Sequence, residues 1–322
     1  MRVIPVYFWL RHYLIHVSKV KINFINGLTL VMMYSIQSNI SNRWLPLLFS
    51  FVLVFFMACE DTGEDNGVIF EEDEKSAYEA EESAENLFDV IESITNSAIN
   101  VSETNSGGRI GESSDPELAC AQVSFAGDKQ SGRIEINFGE GCQGPDGKVR
   151  KGIIVVEYDG HWLVKNSKIY TILKNFYIDD VKIEGTRILT NVSVDLESLV
   201  YTVEIIGGKI IWPNEGEKEI FLTRESDRLH TWIFGDGLDD FELHVQGEAS
   251  GITRGGVEYN SEINEPLLFK SSCRGNTIYL PTSGSKTITI PEKAVIDVNY
   301  GEGDCDKKFT VKIGEQHKEV TL

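Results

Sequence analysis

The chain has 322 residues, enough for one large domain or two small ones, and a formal net charge of −20. The charge is unevenly placed. Residues 1–58 contain no Asp or Glu and five basic residues (Arg2, Arg11, Lys19, Lys21 and Arg43), so the remainder holds 25 basic against 50 acidic residues, a net −25. A body so acidic repels nucleic acid and anionic headgroups, and its densest basic run, Lys148 to Lys151, is too short to reverse that.

The break in charge falls at Cys59. Before it stand Arg43, an apolar run from Leu45 to Met57, and the small residue Ala58. The run is shorter than the ~20 residues a membrane-spanning helix needs, and a basic flank, apolar stretch and small residue form a processing signal. This stretch resembles a bacterial lipoprotein signal, with Phe56 where Leu or Val is usual. The resemblance implies that the leader, residues 1–58, is removed and that Cys59 carries acyl chains. Residues 1–31 are too long for a basic flank, so the true start is expected at Met32 or Met33. The acids of Glu60-Asp61-Thr62-Gly63-Glu64-Asp65 resemble the surface-display signal of Bacteroidota lipoproteins. Residues 59–73 read as an acidic tether.

From Glu74 to about Ile99 the spacing predicts an amphipathic helix. Ala84, Leu87, Phe88, Ile91, Ile94 and Ala98 recur at three- and four-residue steps, and the opposite face is Glu, Asp and Ser. That stripe is expected to dock on the main domain. Residues 100–117 read as a polar linker. From residue 118 to 322 the apolar period is two, as at Ile134, Ile136 and Phe138, at Leu199, Tyr201, Val203 and Ile205, and at Ile296, Val298 and Tyr300. No helical period interrupts, so the fold class is mainly β. It is an antiparallel sandwich or a long curved sheet, with the alternative of two lobes dividing near residue 250. Gly207-Gly208 and Asp179-Asp180 each read as a two-residue hairpin turn.

With Cys59 acylated, Cys120, Cys142, Cys273 and Cys305 remain, an even number that allows three disulfide pairings. Two segments look alike. Each opens on a cysteine, passes Ser-Gly, enters an alternating strand and closes on a box, Asn-Phe-Gly-Glu-Gly-Cys at Cys142 and Asn-Tyr-Gly-Glu-Gly-Asp-Cys at Cys305. That likeness favours Cys120–Cys142 and Cys273–Cys305. No C-x-x-C or zinc spacing occurs.

Calcium is the one metal the spacing suggests. Glu302, Asp304 and Asp306 alternate along a glycine-bearing loop, and Asp236, Asp239 and Asp240 form a similar one. No G-x-S-x-G or H-E-x-x-H occurs, so the chain is not expected to be an enzyme. His230 and His244 lie on predicted strands where they could face each other. Trp162, Trp212 and Trp232 are candidates for stacking on sugar, with Trp232 expected in the core and Trp212, before Pro213, the more exposed.

The mature chain resembles the uncharacterised β-rich surface lipoproteins of Bacteroidota, through the signal, the acidic start and the segment Ile296 to Ile313. The resemblance implies an outer-membrane, lipid-anchored protein with a non-enzymatic binding or structural role. Alternatives are a glycan-capture lipoprotein beside an outer-membrane transporter, a fimbrillin-type subunit open to a donated strand, and, last, a surface hydrolase. Expected partners are the membrane through the lipid anchor and a glycan or envelope protein, not nucleic acid.

Overall fold

A computed structural model of the chain describes residues 71–104, 108–110, 115–128, 130–195, 198–214, 216, 219–235, 240–273 and 280–321. The expected leader, Cys59 and the expected tether up to residue 70 lie outside the described residues. All described residues belong to one of the chain's two compact units.

Helix α1 (Glu72–Thr104) begins on three acids, Glu72, Asp73 and Glu74, which suit the positive end of the helix dipole. Glu74 also accepts a hydrogen bond from the Glu71 amide at 3.1 Å, satisfying a donor that the first turn leaves without an intrahelical partner. The helix runs five residues beyond the expected end.

Fourteen strands follow: β1 (Gly108–Ile110), β2 (Gln122–Gly127), β3 (Ser131–Gln143), β4 (Val149–Asp159), β5 (Lys168–Ile178), β6 (Val181–Val194), β7 (Ser198–Trp212), β8 (Ile220–Phe234), β9 (Phe241–Ile252), β10 (Glu258–Lys270), β11 (Ser283–Thr289), β12 (Ile296–Glu302), β13 (Lys308–Ile313) and β14 (Gln316–Thr321). Short 3₁₀ turns stand at Pro116–Leu118 and Ser271–Cys273. The strands form one antiparallel sheet in which spatial order equals sequence order. Of the two expected forms it is the single long sheet, and residue 250, expected as a lobe boundary, sits inside β9, paired on both sides.

Open sheets of more than about ten strands must curl or split. Eight of the thirteen pairings here carry a register shift, and such bulges bend a sheet and increase its twist. Gly247 shows why glycine is needed in β9. Its φ is +120°, and a Cβ there would stand 2.1 Å from the Asp227 carbonyl oxygen of β8. Gly207 is another such bend. The expected hairpin at Gly207-Gly208 is absent, because β7 runs straight through to Trp212 and its register against β8 slips between Ile205 and Gly208. The expected turn at Asp179-Asp180 is present, with φ of +48° and +66°.

Helix α1 crosses the strands on one face, here called the inner face. Its start meets the β11–β12 turn through Lys293, which pairs with Glu71 at 2.9 Å and Asp73 at 3.4 Å. Further along, Glu82 meets Lys286 of β11, Glu81 meets Arg224 and Arg228 of β8, and Glu92 meets Arg187 of β6. Thr95 then meets Thr171 of β5. Thirty-three residues span about 50 Å, close to the roughly 43 Å between β3 and β12. The apolar stripe docks as expected. Ala77, Ala84, Phe88, Ile91, Ile94 and Ala98 are buried in one cluster with inward residues from β2 to β13, and Leu87 is half-buried at its margin.

No helix among the described residues is long and apolar enough to cross a membrane. Strands of a membrane barrel turn an apolar band outward. Here Glu204, Asp227, Glu248 and Glu262 stand directly opposite one another on the outer face of β7 to β10.

Candidate functional site

The middle of the α1 interface is ionic. Glu81 is fully buried and its carboxylate joins two arginines, Arg224 and Arg228, the latter at 3.2 Å. Glu85 accepts from Arg224 at 2.7 Å, Glu92 pairs with Arg187 at 2.7 Å and Glu82 with Lys286 at 2.6 Å. Register explains the cations. Arg224 and Arg228 are four apart on β8, so both point inward with Leu222 between neighbouring strands. Arg228 also donates to the Gly247 carbonyl at 2.8 Å.

Five carboxylates (Glu81, Glu82, Glu85, Asp89 and Glu92) face four cations (Arg187, Arg224, Arg228 and Lys286). Burial alone raises the Glu85 carboxyl, but Arg224 and Arg228 overcome it and hold Glu85 down to about 2. Asp89 is the carboxylate in excess. Desolvation by its neighbours, reinforced by Glu85 and Glu92, pushes it up to about 8 against Arg187 and Arg224, although the side chain keeps an exposed edge. Burial also holds His230, on the same inner face, down to about 4 despite Glu92.

These shifts set opposite slopes. Between about pH 4 and 8 the folded protein keeps a proton on Asp89 that the unfolded chain releases, so this group costs stability progressively as pH rises. Between about pH 6.5 and 4 the unfolded chain protonates His230 and the folded protein does not, so stability falls as pH drops. We expect Asp89→Asn to raise stability by ~1 kcal/mol at about pH 8 and to change nothing near pH 4, the gain being small because Asp89 reaches solvent. Urea midpoints at the two pH values measure this, and equal shifts at both would contradict it.

The four downstream cysteines pair as the repeated boxes suggested. Cys120–Cys142 and Cys273–Cys305 have Cα separations of 5.7 and 5.1 Å, within the range disulfides take. The boxes share local geometry. Asn137 accepts a hydrogen bond from the Gly139 amide and Asn299 from the Gly301 amide, both at 2.8 Å. All four box glycines have positive φ, and the aromatic residue before each pair, Phe138 or Tyr300, is buried in the core cluster. The second box stands where β12 ends at Glu302, ahead of Cys305, whereas the glycines of the first form bulges inside β3, which stays paired with β4 through Cys142 and Gln143. Nearby, the basic run of residues 148–151 is engaged in ion pairs. Arg150 is 1% exposed and meets Asp146 at 2.9 Å and Glu117 at 3.3 Å, while Lys151 meets Asp180 at 2.6 Å.

The other candidates are scattered. His230 pairs with Val245 and His244 with Thr231 across β8 and β9. Directly opposed residues share a face, so the two histidines point to opposite faces and do not meet. Glu302, Asp304 and Asp306 are each exposed, and Asp306 accepts from the Lys308 amide. Among the described residues no three His, Cys, Asp or Glu side chains gather as a metal-holding group, and Asp236 and Asp239 lie outside the described residues. Trp162 stacks on Tyr201 at 6.5 Å, and its carbonyl accepts from Asn191. Trp232 is half-buried on the inner face, tilted against Phe241 at 4.9 Å. Trp212 ends β7 half-buried, with the Arg254 guanidinium 3.3 Å from its ring centre.

Two surface hollows are formed by described residues. One, of about 450 Å³, lies over the outer acidic row and is lined by Glu204, Ile206, Glu225, Asp227, Glu248 and Glu262 among others. The other, of about 220 Å³, lies between the exposed flank of α1 and Arg254 in the β9–β10 turn. No family model, curated protein or solved structure matches the chain.

The signal for the buried ions was present in the sequence. Ala77, Glu81, Ala84, Phe88, Ile91, Thr95 and Ala98 step by four and three along the helix, so Glu81 and Thr95 fall inside the apolar stripe. An acid at such a position demands a buried cation.

Proposed function

We propose that the protein is a surface-exposed lipoprotein of the outer membrane, held by acyl chains on Cys59, with a non-enzymatic binding or structural role in the cell envelope. The carrying observation is the use of cysteine. Of five cysteines, four form two bridges with one another, so Cys59 at the end of the apolar leader is the thiol left over. Paired cysteines suit an oxidising compartment, and the acidic tether supports display away from anionic headgroups. Mass spectrometry of the amino-terminal peptide from envelope-made protein is expected to show an acylated Cys59 as the first residue. Cys59 found unmodified and still joined to its leader would refute the anchor. The Cys59→Ser form is expected to leave the membrane fraction.

A second reading, glycan capture, is favoured by Trp212 and Arg254 beside the 220 Å³ hollow. A stacked guanidinium is a fixed, planar set of donors.

A further inference from the structure

We infer that the hollow between α1 and the β9–β10 turn binds a single neutral sugar ring, an assignment that rests on the glycan-capture reading and names its site. Arg254 is the starting point. Among the described residues, Arg133, Arg150, Arg187, Arg224 and Arg228 all form ion pairs with carboxylates. Among the arginines whose side chains the structure describes, Arg254 alone has neither an ion pair nor a hydrogen bond, in a chain with 50 acidic residues. Its guanidinium instead lies over the Trp212 ring, which fixes it at the wall of the hollow.

The groups facing Arg254 come from one flank of α1: Ser76, Glu79, Ser83 and Asn86. The spacing of three, four and three brings them to neighbouring turns of the same helix side. Ser76 and Ser83 make no side-chain hydrogen bond within the described residues, so each hydroxyl can donate and accept. Asn86 donates its amide to the Glu82 carbonyl at 2.8 Å, which leaves its side-chain oxygen to accept. Glu79 meets Lys75 at 3.8 Å, with both side chains well exposed, and its charge also acts on Arg254. Glu82, which also lines the hollow, is already matched by Lys286.

The charge balance selects the ligand. Arg254 and Glu79 cancel, so an anion meets Glu79 and a cation meets Arg254. A zwitterion such as an amino acid satisfies those two groups and leaves both hydroxyls and the amide unmatched. A ring bearing several hydroxyls satisfies all of them, each hydroxyl acting as donor and acceptor. The hollow has room for one ring and is open at the surface, which suits recognition of a chain end or of one unit in a chain.

The test is saturation-transfer NMR on the complete mature chain with glucose, galactose, mannose and N-acetylglucosamine and short linear oligosaccharides of each. Arg254→Leu is the first variant, because Leu keeps an apolar cover on Trp212, and Ser83→Ala the second. At least one sugar is expected to receive saturation, with affinity about tenfold weaker in Arg254→Leu, the worth of one charge-assisted hydrogen bond. A smaller loss is expected in Ser83→Ala, and no displacement by glycine. Silence across the panel, equal transfer in both variants, or displacement by glycine overturns the assignment. Both substitutions are at the surface, and an unchanged urea midpoint separates lost binding from lost fold. The lipid anchor on Cys59 is decided by mass alone, so failure of one reading leaves the other standing.

Discussion

Glu81→Leu is expected to destabilise the protein by about 3–5 kcal/mol, among the largest effects any single side chain here can have. Glu81 is fully buried and Arg224 is 2% exposed. Removing the carboxylate leaves two guanidiniums facing an apolar side chain, with Glu85 to partner only one of them closely. The cost is that of buried charge without a counter-charge, not the net worth of the pairs. That distinction gives a second, sharper expectation. Burying ions carries a desolvation penalty that well-packed apolar groups avoid. The triple change Glu81→Leu, Arg224→Met, Arg228→Met should therefore recover part of the loss, short of all of it because Glu85, though 39% exposed, gives up both of its arginines. Urea unfolding of the single and triple variants measures both. A single variant within about 1 kcal/mol of the parent would show that Glu81 is not the counter-ion on which the α1 interface depends.

How much of this was legible differs by element. The helix and the alternation of strands are local signals, and both are found where the periodicities put them. The Asp179-Asp180 turn was legible because a two-residue link between alternating strands has few other meanings. The same logic failed at Gly207-Gly208. A glycine pair inside an apolar run fits a turn or a bulge equally well, and what separates them is non-local. Gly208 lies against the Arg224 carbonyl of β8, and Gly185 of β6 closes on Gly208 from the other side. Neither neighbour is near in sequence. The histidines failed through parity, since a register displaced by one residue moves a side chain to the other face. For the hollow, Trp212 was legible as an aromatic before a turn. The pairing with Arg254 was not, because it depends on which strand ends lie next to the end of β7. Ser76 and Ser83 read as part of a solvated helix flank, and only the placement of the β9–β10 turn over that flank sets them apart.

The two disulfides are expected to contribute additively and, together, to decide whether the fold persists at all. In the chain-entropy model, bridges closing 22 and 32 residues each stabilise by roughly 3–4 kcal/mol, chiefly by restricting the unfolded chain. Their surroundings are separate. Cys120–Cys142 fastens the segment after the first 3₁₀ turn, whose Leu118 is buried in the α1 core cluster, to the end of β3. Cys273–Cys305 fastens the end of β10 to the β12–β13 loop. The two sites lie seven to nine strands apart in the sheet, about 34–43 Å along it, far beyond the range at which mutational effects couple. Replacing one pair by serine should lower stability by about 3–4 kcal/mol, and replacing both by about 7, of the order of a domain's whole stability. The double-pair variant should then be largely unfolded at growth temperature while either single-pair variant still folds. Urea unfolding of the four forms gives the comparison. A double-pair loss no larger than either single loss would mean that one bridge lies in a region already frayed, and that the sheet does not unfold as one unit from β2 to β13.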